Sequence, residues 1–360
     1  MEKITIPIGP QHPLLKEPLS LRIGVSGEQV LGGDLRLGYV HRGIERLAQT
    51  RNYIQNVHLI ERICGICSHV HTTAYCYAVE KLLDIEIPER AQYIRALLCE
   101  LERIHSHLLW AGILANHIGL DTIFMHTWHN REMVLDIMEE LSGGRVSHAV
   151  NKIGGVRFDL DEEHGPMIVK TVRKLHGEVE KLLDMIIHEP TIKARTQGVA
   201  VIKPANIIKY AVVGPVARAS GVDVDLRRDD PLPPYDRLDF SVMTQTAGDA
   251  WARTVVRVEE VRESIHLCEE LLQEMPEGEV EVRTRNRVPA GQVSIRAEAP
   301  RGELFYYLRS DGTDKPARLK IRTPSLPVLG ILPKQLADIQ VADIPVVLAG
   351  VDLCIACADR

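Results

Sequence analysis

No stretch of this 360-residue chain approaches the roughly 18 consecutive apolar residues that a membrane-spanning helix needs. The best candidate, Leu108 to Met125, is broken by Asn116, His117 and Asp121, and it predicts a buried helix instead. A basic excess is missing as well. Lys and Arg number 43 against 49 Asp and Glu, giving a formal net charge of -6, and this argues against a nucleic-acid partner. The opening residues, Met-Glu-Lys-Ile-Thr, lack the basic and apolar regions of a secretory leader. Internal repeats and low-complexity tracts are absent. What is present is a chain that is 45% hydrophobic and long enough to bury a sizeable core, as one large domain or two intertwined ones.

Cysteine is scarce but patterned. Of seven, Cys76, Cys99 and Cys268 stand alone on helix-like segments and read as small core residues. The other four form two Cys-x-x-Cys pairs, Cys64/Cys67 and Cys354/Cys357, separated by almost the whole sequence. Four thiolates make a soft cage suited to Ni, Fe, Zn or Cu(I) and poorly suited to Mg or Ca. A zinc ribbon gathers its cysteines within a few dozen residues, so this spacing predicts a centre assembled only by the finished fold. Thiols kept free for metal predict a reducing, cytoplasmic setting.

Between the pairs, apolar periodicity predicts helices over 52–63, 72–83, 95–109, 128–141, 166–187 and 249–274. The clearest is 95–109, where Leu97, Leu98, Leu101, Ile104 and Leu108 recur at three and four. Alternation over 19–25 and 30–37 predicts an N-terminal hairpin, and short strands are expected over 292–297, 304–309 and 317–321. Residues 223–236, rich in charge and proline, read as a surface loop without helix. The apolar stretch 344–353 should thread the second cysteine pair into the core. The expected fold is α+β and mostly helical, a single domain: an N-terminal hairpin at about 19–37, a helical core at about 50–275, and a small-sheet segment with a buried tail at about 290–360.

The first cysteine motif reads Arg62-Ile63-Cys64-Gly65-Ile66-Cys67-Ser68-His69-Val70-His71. The glycine permits close backbone approach, and His71 stands where it could orient a thiolate by hydrogen bond. The second reads Asp352-Leu353-Cys354-Ile355-Ala356-Cys357-Ala358-Asp359-Arg360. Together they closely resemble the signatures of the nickel–iron hydrogenase large subunit. Gly9-Pro10-Gln11-His12-Pro13, His41-Arg42-Gly43-Ile44-Glu45, Ile104-His105-Ser106-His107-Leu108, Ile153-Gly154-Gly155-Val156-Arg157 and Glu298-Ala299-Pro300-Arg301-Gly302-Glu303 extend the likeness along nearly the whole chain. They resemble the energy-converting, membrane-associated branch (Ech and CO-induced types), which is related to the complex I 49-kDa-type subunit. Complex I subunits retain the scaffold without the four cysteines.

The resemblance implies Cys64 and Cys354 as terminal thiolates on nickel, and Cys67 and Cys357 as bridges to an iron carrying one CO and two cyanides. It implies Cys354 as first proton acceptor, and Arg301, after Pro300, as the guanidinium over the open metal position. Asp352 is expected to hold that arginine, and Thr323 and Ser325 to donate to a cyanide. The family's proton-exit glutamate has no match at its usual position, so Glu17 is the substitute and His12 the alternative relay. Glu45 matches a magnesium-type ligand, but the family's terminal histidine is here Arg360. An Arg360–carboxylate ion pair there, with Glu45 as a candidate partner, or no metal is therefore expected. In most of the family a short C-terminal extension is removed after nickel insertion, and this sequence stops at the matching point, either as the mature form or because no extension is encoded. His105 and His107, two apart on a helix, cannot share a face as a ligand pair.

The three cysteines left over are too few for an iron–sulfur cluster in this chain, so a cluster-bearing small subunit is expected. The implied function is reversible hydrogen oxidation with ferredoxin as electron partner. It would be coupled to ion translocation by further iron–sulfur and membrane subunits, on the cytoplasmic face of the membrane. The alternatives are a non-catalytic complex I-type quinone or coupling subunit and a zinc-stabilised structural subunit.

Overall fold

Pro88 opens and Gly119 closes the longest element, a helix over Glu89–Ile118. Gly119 takes φ 87°, the left-handed conformation that ends a helix without a Cβ penalty. In this computed structural model, which describes residues 3–160 and 164–360, that helix is the axis of the molecule. Helices Asp121–Ser142 and Ala250–Gln273 pack on it, and His164–His188 packs on both of those. Leu97, Leu101, Val134, Met138, Leu175, Val179, Val261 and Ile265 form their common core. The axial helix extends well beyond the 95–109 expectation. It is buried almost all round, and Arg95, Glu100, Glu102, Arg103, His105 and His107 lie within it at 3% exposure or less.

Around this bundle sit small antiparallel sheets, giving the expected α+β, mostly helical class. The N-terminal hairpin Ser20–Ser26/Gln29–Arg36 gains a third strand, Ile4–Ile8, which carries Pro7 on the sheet edge where a missing N–H is tolerated. The C-terminal sheet pairs Gly291–Ala299 with Gly302–Ser310, and that strand with Pro316–Arg322. One expectation fails. Residues 223–236 hold a short helix, Leu226–Asp229, and a 3-10 turn, Tyr235–Arg237, and they are only partly on the surface. Asp225 and Arg227 are buried because each is the counter-ion of the other (2.8 Å) and of the interior charges Arg218 and Glu100.

Two elements carry the cysteine pairs together. Helix Ser68–Leu83 begins directly after Cys67 and packs on the C-terminal sheet. Helix Ile344–Val351 lies between the axial helix and Ala250–Gln273. It is held by Trp110 Nε1 donating to Ala349 O (2.7 Å) and Arg257 Nη1 donating to Gly350 O (3.1 Å). Arg257 also stacks over the Trp110 ring at 4.6 Å. The chain then turns at Asp352, φ 49°, into the short helix Ile355–Asp359.

Candidate metal centre

All four paired cysteines are buried, at 4% exposure or less. Cys64 Sγ lies 3.5 Å from Cys354 Sγ, and Cys67 Sγ 3.5 Å from Cys357 Sγ. The first member of each motif thus meets the first of the other, and the second meets the second. Cys64, Cys354 and Cys357 present their sulfurs within 4.8 Å of one another; Cys67, His71 and Cys357 form a second such group. Cys67 and Cys354 each stand at the N-cap position of the helix that follows.

The protonation of the cage is divided. Hydrogen bonds from Cys354, Cys357 and Cys67 push the Cys64 thiol well below its usual value. Cys357 is pushed well up, by its hydrogen bonds with Cys354, Cys64 and Cys67 and then by burial. Cys67 and Cys354 also rise: a hydrogen bond with Cys357 pulls each down, but those with Cys64 and burial outweigh it. Four adjacent sulfurs cannot all be thiolates without positive charge among them. A soft cation binding here would replace those protons, which is the chemistry of a thiolate metal site. The donor set fits a metal.

The lining is built from the surrounding elements. Arg301 sits in the turn between strands Gly291–Ala299 and Gly302–Ser310. A Cβ at Gly214 would lie 2.3 Å from Arg301 O, so this backbone approach needs glycine. Arg301 Nε donates to Asp352 O (2.9 Å), Nη2 to Asp352 Oδ1 (3.0 Å), and Nη1 reaches Ser106 Oγ (3.4 Å). Burial would raise the Asp352 carboxyl, but Arg301 and Lys16 overcome it and hold it well below the usual range. Lys16 Nζ is 3.2 Å away.

His71 Nδ1 is 2.7 Å from the Tyr306 hydroxyl, and its Nε2 is 3.7 Å from Cys357 Sγ. A hydroxyl donating to Nδ1 leaves the ring proton on Nε2, aimed at the sulfur. Burial lowers His71 to about 4, so the ring is neutral. Thr323 Oγ1 donates to Cys357 O (3.0 Å), and Ser325 Oγ accepts from Cys354 N (3.1 Å). Both hydroxyls therefore fix the backbone of the second cysteine pair, a contact the sequence did not suggest.

Glu17 accepts from the N–H groups of Ile355 and Ala356 (3.1 Å to the latter) and lies 3.9 Å from Cys354 Sγ. Burial, then the neighbouring Cys64, raises its carboxyl. His12 is exposed and accepts locally from Leu14 N–H. Glu45 meets Arg360 Nε at 3.2 Å, with Lys320 at 3.1 Å and Arg318 at 3.6 Å, so the expected ion pair is present.

Sequence reasoning missed several groups. Arg42 donates to Arg62 O (2.7 Å), Ile63 O (2.8 Å) and Ala356 O (3.2 Å), tying the two cysteine segments together. Glu102 accepts from His69 N (2.7 Å) and Val70 N (3.0 Å), fixing the first turn after Cys67. Burial raises it to about 8. Arg42 and Ser106 lay inside resembling motifs without a role, and Lys16 adjoined Glu17. Glu102 was one polar residue among the leucines of a periodic helix and gave no signal.

The chain matches known proteins along its length. The family model described as Respiratory-chain NADH dehydrogenase, 49 Kd subunit, matches residues 117–288 and 281–360. That described as Nickel-dependent hydrogenase matches residues 42–117. The chain belongs to this shared family. It is 40% identical to the carbon monoxide-induced hydrogenase of Rhodospirillum rubrum over 361 residues, 100% of each chain. It is 39% identical to one component of the F420H2 dehydrogenase of Methanosarcina mazei, over 99% of this chain and 98% of that one. The fold matches a chain in the solved structure of the membrane-bound sulfane sulfur reductase, an archaeal respiratory membrane complex. There the TM-score is 0.96 at 31% identity, covering 100% of this chain and 99% of the other. Among the described residues, no helix is long and apolar enough to cross a membrane.

Proposed function

We propose that this chain is the catalytic large subunit of an energy-converting nickel–iron hydrogenase, interconverting H2 with two protons and two electrons. Overall identity does not decide between the family's branches, since a hydrogenase stands at 40% and a dehydrogenase component at 39%. The convergence of four buried cysteine sulfurs, paired at 3.5 Å, carries the reading. Cys64 and Cys354 would hold nickel, and Cys67 and Cys357 would hold nickel together with an iron bearing CO and cyanide. When bound, that centre supplies the site at which hydrogen is split or formed with two electrons.

The chain's own side chains do the rest. Arg301, locked on Asp352, presents a fixed positive charge at the cage, a preorganised electrostatic partner for charge developing there. His71 steadies Cys357 with an N–H. Thr323 and Ser325 hold the backbone of the second pair, and Ser325 keeps its hydroxyl proton free to donate. Glu17, beside Cys354 and raised by burial, is placed to take the proton from that sulfur and return it. Electrons would leave through an iron–sulfur cluster in a partner small subunit toward ferredoxin. Further membrane subunits on the cytoplasmic side would couple the flow to ion movement.

A second reading, a complex I-type coupling or quinone subunit, is favoured by the family match over residues 117–360. Infrared spectra of the matured complex, with nickel and iron analysis, separate the two. Bands in the CO and cyanide stretching region and about one nickel per chain are expected. Their absence from fully matured protein would sink the hydrogenase reading.

A further inference from the structure

Beside Glu17 lies a cavity of about 30 Å³ that the mechanism above leaves unused. Its walls are mostly apolar, including Leu14, Leu19 and Leu348, and three groups in it carry protons: Glu17, Lys16 and His117. That volume holds roughly two waters, and three polar partners suffice to order them. His117 sits in the last turn of the axial helix, with its Nδ1 buried and without a hydrogen-bond partner, while the residue as a whole is partly exposed. An orphaned ring nitrogen in a wall shared with two ionisable groups is a costly feature for a packing residue. It is the natural terminus of a water chain.

We infer that His117 is the proton relay between this cavity and solvent, carrying protons to and from Glu17 through the enclosed water. The inference rests on the hydrogenase reading above. A proton delivered by cavity water binds Nδ1, the proton on the other ring nitrogen, which is hydrogen-bonded to the backbone at Pro345, is then passed on to solvent, and the imidazole regains its starting tautomer by ring rotation; no electron moves. Burial lowers the affinity of the ring for a proton, and a backbone hydrogen bond at Pro345 offsets this only in part while the Lys16 ammonium adds to it, so the charged form is short-lived and the relay passes its proton on. The last-turn position partly offsets that cost, because helix carbonyls favour a cation there.

The test uses the intact membrane complex carrying His117→Gln or His117→Glu. The Gln variant should evolve hydrogen about tenfold to a hundredfold more slowly, with a larger solvent isotope effect and recovery on adding imidazole. The Glu variant, which still carries a proton, should keep most of the rate. Unchanged Gln kinetics would overturn the inference, as would equal loss in both variants with the parental isotope effect, the mark of a packing role. Loss of the CO and cyanide bands from the parent complex would instead defeat the hydrogenase reading.

Discussion

Arg301 binds Asp352 twice, through the side-chain carboxylate and through the backbone oxygen. A guanidinium can span two acceptors in one plane, whereas an ammonium is a point charge. The same Asp352 Oδ1 also meets Lys16, so two cations share one fully buried carboxylate oxygen beside four sulfurs. Burial works against the charge on Arg301, but Asp352 and the thiolates more than offset it. Arg301→Lys therefore keeps the charge and loses its fixed position. We expect turnover to fall about a hundredfold, as for loss of one preorganised donor. Nickel and iron content should stay at the parental level, because no metal-ligating sulfur is touched. Parental turnover in this variant, measured beside metal analysis, would reduce Arg301 to a structural counter-ion.

At the scale of elements, the two cysteine motifs are short turns from opposite ends of the chain, and little holds either alone. The first is fixed from behind by Glu102, and the second by Ser325, Thr323 and Glu17. Arg42 is the tie between them, its guanidinium shared by Ile63 O and Ala356 O. Arg42→Gln should loosen the tail helix Ile355–Asp359 against the first cysteine loop at a cost of about 1 kcal/mol, the usual net worth of a hydrogen bond, since Arg42 is exposed. Faster hydrogen exchange at residues 354–360 and incomplete nickel loading are the expected signs; parental exchange there would count against a clamp.

This clamp also marks where the sequence stops being legible. The cysteines, Arg301 and Asp352 stand in recognisable motifs, and helices such as Ala250–Gln273 appear through their apolar repeat. The contacts that align those motifs are side chain to backbone across hundreds of residues, and no periodicity encodes them. Residues 223–236 mislead for the same reason. Charge and proline predict solvent unless the counter-ions are known, and here they come from the axial helix and from Arg218.

Across the whole molecule the core is unusually ionic. Glu260 joins His107 (2.9 Å) to Arg218 (2.8 Å), Arg218 meets Glu298 (2.8 Å), and Arg227 links Asp225 to Glu100. Such clusters cost desolvation and hold only while complete. Their protonation sets the acid stability, and the signs differ. His69 and His105 are lowered to about 3 by burial, so their contribution is full above pH 6.5 and drains as pH falls toward 3. For Glu100 and Glu260, burial would raise the carboxyls, but neighbouring arginines hold them to about 2; their contribution is full above pH 4.5 and is lost between there and 2. Glu102, raised to about 8, acts oppositely, weakening the fold as pH rises from 4.5 to 8. Between pH 4.5 and 6.5 these effects oppose one another, while below 4.5 the Glu102 term is exhausted and the others all point toward unfolding. Denaturant midpoints measured from pH 8 to pH 3 should therefore change gently at first and then collapse below about 4.5. Glu260→Gln should lower stability near neutrality by about 3 kcal/mol, by removing one of the buried carboxylates that neutralise Arg218 and the charged partner of His107, and should flatten the acid limb. A variant with parental stability at pH 7 and an unchanged acid limb would show that the buried ion cluster does not govern the fold's acid tolerance.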